Sequence, residues 1–458
     1  MTAPAEVRVL FPSGMLGSGF TIESVQRGMR LAPTAIAIDA GSTDSGPYYL
    51  GTGTAKSARA AIKRDLGVLL AESRRAEIPL VVGSCATSGT DAGVDWVAAI
   101  AEELAAEQRL SFTVARIYSE QSKTAVEAAI AAGRVHPLGL LPDLDVATVR
   151  RCEHIVGLMG HEPIVAALQA GADVVLAGRA TDTSLVAGFA LMNGLPAGPA
   201  WHAAKTVECG DLCTTRPQGD GVIVDIDRTG FTVTPLNLET FCTPMTVAAH
   251  MLYENANPFR LVEPSGVLDT SNATYDIVDA RSVRVEGSRF EPADRITIKL
   301  EGSALTGYET MSFVGIAEPD VLAEIDTWVN LLRDLTRDRV HRSLGIKPNE
   351  YDLHIRSYGA NAVLGQLVDT PGTAQEVGVM LKIRASTQER ATAIAKTANP
   401  LLLHLPLPGA RYMPSYALAA SPPETERGAS YEFVLNHIVE VADATELFRT
   451  QLSEVRHA

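Results

Sequence analysis

From Val7 to about Asp225 the chain alternates short apolar runs with stretches of helical spacing. Val9-Leu-Phe-Pro12 leads into a glycine-rich turn, and Ala35-Ile-Ala-Ile-Asp39 is an apolar run closing on a carboxylate. Residues 57–73 combine helix formers with helical spacing, and residues 78–83 supply another apolar run. The rhythm continues through a helix over 94–110, a strand over 111–118, helices over 122–131 and 161–170, and a strand over 172–177. Such βαβ repetition predicts an α/β domain over residues 1–225, built on a mostly parallel sheet.

The pattern then changes. Residues 222–234 read as a hairpin and 243–253 as a helix, within a connecting β/α region over 226–285. Strands around Ile296 and Phe313 precede a helix over 320–339, and strands around His354 and Val379 precede another over 386–398. Two successive β-β-α units predict a second, mixed or antiparallel α+β domain over 286–458, with helices on one face. Residues 401–406 would add an edge strand, because Pro406 and Pro408 resist a central place.

With 458 residues the chain is long enough for two or three domains. Its 39 basic and 54 acidic residues give a formal charge of -15, which argues against nucleic acid as a partner and leaves room for an anionic small-molecule substrate at a local arginine. Five cysteines are too few, and odd in number, for a disulfide framework. No run of 18 or more apolar residues appears, and Met1–Val7 lacks a charged and apolar leader pattern, so a cytoplasmic, non-membrane protein is expected.

Three polar stretches directly follow apolar runs: Asp39-Ala-Gly-Ser-Thr-Asp44, Gly83-Ser-Cys-Ala-Thr-Ser-Gly-Thr-Asp91 and Gly178-Arg-Ala-Thr-Asp-Thr-Ser184. In an open α/β sheet the crevice lies at the carboxyl ends of strands, so these loops are expected to line a common cleft. Asp39 and Asp44 could ligate a hard cation, magnesium or calcium, or act as acid and base, with Ser42 and Thr43 as hydroxyl donors to substrate. The same residues also suit a capped turn. Cys85 is a candidate nucleophile if a base reaches it, or a small packed thiol. Arg179 offers a planar fork for a carboxylate or phosphate, and Asp182 a proton-transfer group; a structural Arg–Asp pair is the alternative. Glu208 and Cys209, in Glu208-Cys-Gly-Asp-Leu-Cys213, are further cleft candidates, although the cysteine spacing lacks the companion pair of a structural zinc site. His154, His161, His202 and His250 could serve as acids or bases or as satisfied structural groups. Phosphate-loop, dinucleotide, nucleophile-elbow and zincin motifs are all missing.

The segments Gly171–Leu185, Glu208-Cys-Gly210 and Thr243–Glu254, with Pro258 and Asp269, resemble the acyclic terpene utilisation protein A (AtuA) family, and Tyr351–Gly359, Ala393–His404 and Tyr431–His437 resemble one of its branches. The resemblance implies a link to branched acyl thioesters, a homo-oligomer and a small companion subunit as conceivable partners, and cleft roles for Gly178-Arg-Ala-Thr-Asp182 and Glu208-Cys-Gly210. The leading expectation is a lyase or hydratase acting on a carboxylate or acyl-CoA. Arg179 would anchor the negative group, and Asp39, Asp44 or Asp182 would move a proton, assisted by a divalent metal. The alternatives are a hydrolase using Cys85 or activated water, and a non-catalytic ligand-binding or scaffold subunit of a hetero-oligomeric enzyme.

Overall fold

Ala35–Asp39, Leu80–Gly83 and Val174–Ala177 are buried along their whole lengths, as strands covered on both faces must be. They form the middle of a ten-stranded sheet in the computed structural model, which describes residues 6–365 and 374–457. In chain order its strands are β1 (Glu6–Phe11), β2 (Ala35–Asp39), β3 (Leu80–Gly83), β4 (Phe112–Tyr118), β5 (Val174–Ala177), β6 (Val222–Asp227), β7 (Gly230–Pro235), β8 (Thr274–Ile277), β9 (Val283–Glu286) and β10 (Arg449–Val455). Across the sheet they run β8-β9-β7-β6-β1-β2-β3-β5-β4-β10.

This order overturns the expected mostly parallel sheet. Four junctions, β1-β2, β2-β3, β3-β5 and β5-β4, are parallel, and the other five are antiparallel. The cause lies in the connections. Parallel neighbours need a long crossover, which the helices Arg59–Ala76 and Asp91–Gln108 provide, whereas a tight turn at Asp227–Gly230 can join only antiparallel strands. The β6–β7 hairpin then docks on β1 with Val9 opposite Val224, so strands after Val222 lengthen the same sheet. On the far edge β10 returns antiparallel to β4. The sheet is therefore mixed, with a parallel centre and antiparallel flanks.

The chain divides into two units. One comprises the described residues through Ala304 and from Phe433 onward; the other is Leu305–Glu432. In the second, the strands Asp352–Tyr358 and Val377–Ala385 and the later part of Thr297–Ile316 form an antiparallel sheet. Its strand Val377–Ala385 alternates strictly between buried and half-buried positions. The buried residues join Trp328 and Leu332 from the helix Ile325–Leu344 and Ile394 and Leu402 from the helix Gln388–His404 in one core. No helix among the described residues is long and apolar enough to cross a membrane.

Candidate active site and metal centre

The loops after β2, β3 and β5 leave neighbouring parallel strands and interlock. Gly41, at φ +136°, has Thr87 Cα 2.6 Å from where a Cβ would stand, and at Gly89, φ +66°, the backbone nitrogen of Arg179 is 2.0 Å from that point. Any side chain there would push the loops apart. Between these glycines Ser84, Ala86 and Thr87 hold positive φ angles of 44°, 54° and 79°, a strained turn of the kind found where a site is being shaped.

Arg179 enters this knot buried. Its Nε donates to Glu301 Oε2 at 3.0 Å, Nη1 donates to Ser84 Oγ at 3.3 Å and the Ala180 carbonyl at 3.1 Å, and Nη2 donates to Thr43 Oγ1 at 3.4 Å. Thr43 in turn donates to Glu301 Oε2 at 3.0 Å, and Lys299 Nζ donates to its other oxygen at 2.7 Å. Burial works against the Glu301 anion, but the charges of Arg179 and Lys299 prevail and lower its pKa to about 2. The Arg–Asp pair considered from sequence is thus an Arg179–Glu301 pair.

Asp39 lies beside it. Its Oδ2 accepts the Gly41 N–H at 2.7 Å, while buried Oδ1 has no hydrogen-bond partner among the described residues. Burial, reinforced by the negative charge of Asp182, raises the Asp39 pKa well above its ordinary value. Asp182 keeps some solvent access. Burial lifts it to about 6 against the opposing pull of Arg179 and Lys205. These two carboxyls are electrostatic neighbours with raised pKa values, a condition under which one can serve as acid and the other as base.

Asp182 also faces a second group of residues. The helix Ala197–Val207 begins with Pro and Gly in its first turn and is buried from Gly198 to Val207. It carries Lys205 on its last turn, one step before Glu208 and Cys209. Lys205 Nζ donates to Glu208 Oε1. The helix Pro244–His250 starts with a reciprocal Thr243–Thr246 capping box and Pro at its first position, and delivers His250 at its end. His250 is buried, stacks on Tyr253 with ring centroids 5.7 Å apart, and its Nε2 has no hydrogen-bond partner among the described residues. Lys205 Nζ lies 6.0 Å from the same tyrosine ring centre. Glu263, from the strand Arg260–Glu263, accepts a 2.8 Å hydrogen bond from Thr183 Oγ1.

The charge balance here is unusual. Burial raises Glu208 to about 8 and Glu263 to about 7, in both cases with help from Asp182 and against Lys205. Burial opposes the Lys205 charge, but Glu208 and Glu263 more than restore it, so its pKa is raised. His250 falls to about 4, through burial and then Lys205, and is a neutral imidazole at pH 7. Ligand atoms of Glu208, Cys209 and His250 all lie within 4.8 Å of one another. Carboxylate, thiolate and imidazole suit a transition ion such as zinc better than magnesium or calcium, and the orphaned buried Nε2 of His250 is a free donor for one. Burial and then Glu208 raise the Cys209 thiol, which a bound ion would reverse.

The structure brings together Asp39, Thr43, Arg179, Asp182, Glu208 and Cys209. It does not gather every expected residue. Asp44 is exposed and its side chain makes no hydrogen bond among the described residues, while Ser42 accepts the Asp44 N–H at 3.2 Å as a turn cap. The magnesium or calcium site expected at Asp39 and Asp44 gains no third ligand among the described residues; the metal-type group that forms is Glu208, Cys209 and His250. Cys85 is fully buried, and burial followed by the Asp39 charge raises its thiol pKa, which disfavours the nucleophilic form. His202 is a structural histidine, sharing a hydrogen bond with Ser288 Oγ at 2.6 Å. Sequence reasoning missed Lys205, Glu263 and Glu301. A lone lysine in the otherwise apolar Ala-Trp-His-Ala-Ala-Lys205 run was a readable signal; the other two become site residues only through strand placement.

A family model described as "Acyclic terpene utilisation family protein AtuA" matches residues 58–420. No curated protein and no solved structure shows significant similarity to the chain.

Proposed function

The chain belongs to the acyclic terpene utilisation family AtuA, and on that premise we propose that it is a lyase or hydratase acting on a carboxylate or acyl-CoA by acid–base chemistry. The observation that carries the reading is the excess of carboxyls around Lys205 and Arg179, Asp39 and Glu208 buried and Asp182 and Glu263 half-buried, with Asp182 near 6, Glu263 near 7, Glu208 near 8 and Asp39 raised well above the ordinary range. Groups poised on both sides of neutrality can take and return protons at working pH.

In the hydration direction Asp182, ionised at neutral pH, takes a proton from water as the oxygen bonds to the β-carbon of an α,β-unsaturated acid or thioester. Asp39, whose raised pKa favours its protonated form, gives a proton to the α-carbon, and the proton that Asp182 took from water then passes to Asp39, so one water is added and both carboxyls regain their starting states. Arg179 is held by Glu301 and Thr43, and its fixed positive charge attracts the substrate's anionic group. Lys205 keeps the acid-rich wall from repelling that group. A transition ion held by Glu208, Cys209 and His250 would add Lewis-acid stabilisation of enolate charge. The hydrolase reading loses its thiol nucleophile with the burial of Cys85.

The test is a panel of α,β-unsaturated and β-hydroxy acids and their CoA thioesters, followed by the change in conjugated absorbance. Turnover of at least one member, falling at least about a hundredfold in Asp182→Asn, is expected for loss of a general base. Full activity in that variant, or inertness of the zinc-loaded protein toward the whole panel, would remove the proposal.

A further inference from the structure

A cavity of about 810 Å³ lies elsewhere in the same unit, between the helix Lys123–Ala131 and the C-terminal segment, and shares no residue with the site above. Buried Val126, Ala129, Leu300 and Val439 form its apolar floor, and Ala125 is exposed on its wall. Asp91, Glu120, Glu446, Arg134 and Arg449 form the charged part of the lining, beside the polar Gln121 and Ser122. Its size falls within the range usual for small-molecule sites.

The carboxylates of this rim are already occupied. Asp91 Oδ1 accepts the Glu120 N–H at 3.2 Å, and its Oδ2 accepts from Arg449 Nη2. Glu120 Oε2 accepts the Asp91 N–H at 3.1 Å, and its Oε1 is bound to His154 Nδ1 at 2.6 Å. Glu446 accepts from Arg134 Nη1 at 2.9 Å and from the Ala442 N–H at 2.9 Å. Every carboxylate oxygen of the rim therefore has a donor. Donors, by contrast, are in surplus. Among the hydrogen bonds of the described residues Arg134 uses Nη1 alone, toward Glu446 and the Glu440 carbonyl, and Arg449 uses Nη2 alone. A guanidinium carries five N–H donors and no acceptor, so Nε and one Nη of each arginine have unspent capacity. The Arg449 guanidinium also lies over the Tyr118 ring, 5.0 Å from its centre.

We propose that this cavity binds a small amphipathic anion, its apolar body on the Val126–Ala129–Leu300–Val439 floor and its carboxylate or phosphate head on the rim guanidinium groups. An ammonium ligand would find every rim carboxylate oxygen already holding a donor. A neutral alcohol would leave the guanidinium donors without a charged acceptor.

Isothermal titration of the full-length protein with hexanoate, hexyl phosphate and hexylamine tests this. One or both anions should bind with a stoichiometry of one, the tighter of the two identifying the head group, and hexylamine should not bind. Joint replacement Arg134→Gln and Arg449→Gln should weaken the anion about tenfold or more, as expected for loss of charge-assisted hydrogen bonds. Ala125→Phe, at an exposed wall position that leaves the core intact, should reduce hexanoate affinity to that of acetate. The idea is overturned by failure of both anions to bind, by hexylamine binding as well as they do, or by unchanged affinity in the double arginine variant. Should that variant not fold, as judged by circular dichroism, unchanged hexanoate affinity in Ala125→Phe overturns it instead. Neither arginine nor Ala125 belongs to the proposed catalytic cluster, so this experiment and the hydration assay can fail independently.

Discussion

Replacing Glu263 by Gln should make the protein less sensitive to alkaline pH, and the size of the effect follows from its surroundings. Glu263 is held by Thr183 and faces Asp182 and Lys205, and burial, the largest influence, lifts its pKa from an ordinary 4.5 to about 7. A carboxyl raised on folding favours the folded state while protonated. Its contribution is fully present below the unfolded value and is lost as pH rises through the folded one. One pKa unit corresponds to about 1.4 kcal/mol, so between pH 5 and pH 8 this single group should withdraw roughly 2–3 kcal/mol from the folded state. Gln keeps an acceptor for Thr183 and cannot titrate. Urea unfolding followed by fluorescence of Trp201, buried in the same unit, reports the change. The wild-type midpoint should fall relative to the variant as pH is raised from 5 to 8. A wild-type-to-variant difference that stays constant over that range would refute the argument that Glu263 enters the fold as a neutral acid.

Other outcomes follow from the same geometry. Cobalt(II) titrated into the protein should give a thiolate charge-transfer band that disappears in Cys209→Ser and weakens in His250→Ala; identical spectra in all three would remove the Glu208, Cys209 and His250 centre. Glu301→Gln leaves the buried Arg179 charge without its anion and should destabilise the first unit by about 3–5 kcal/mol, read by denaturant unfolding, with little change arguing that water reaches the arginine freely. Cys85 should resist iodoacetamide in the folded protein and react once urea unfolds it, as peptide mapping would reveal; rapid native labelling would contradict its burial.

The sequence alone determined the family, through motifs such as Gly178-Arg-Ala-Thr-Asp182 and Glu208-Cys-Gly210, and it marked the buried central strands, although its reading of their sheet as mostly parallel was wrong. Both are local: a fully buried strand reads as an apolar run, and a loop that must pass close to another reads as glycine. It also pointed to Asp39, Arg179 and Asp182 on one sheet edge, because strands that run parallel send their ends the same way. What the tertiary structure decided is everything set by distant partners. The hairpin β6–β7 has the same pattern whether it starts a new sheet or docks on β1, and only packing selected the second, which made the sheet mixed. Glu301 is one acid in a long strand until Arg179 meets it, across 122 residues of chain. His250 looked like any helical histidine until its helix placed it against Glu208 and Cys209 with one nitrogen unsatisfied. Cys85 shows the same dependence in reverse: residue type says what a thiol can do, but burial and the Asp39 charge favour its protonated form, while Asp44 is left exposed.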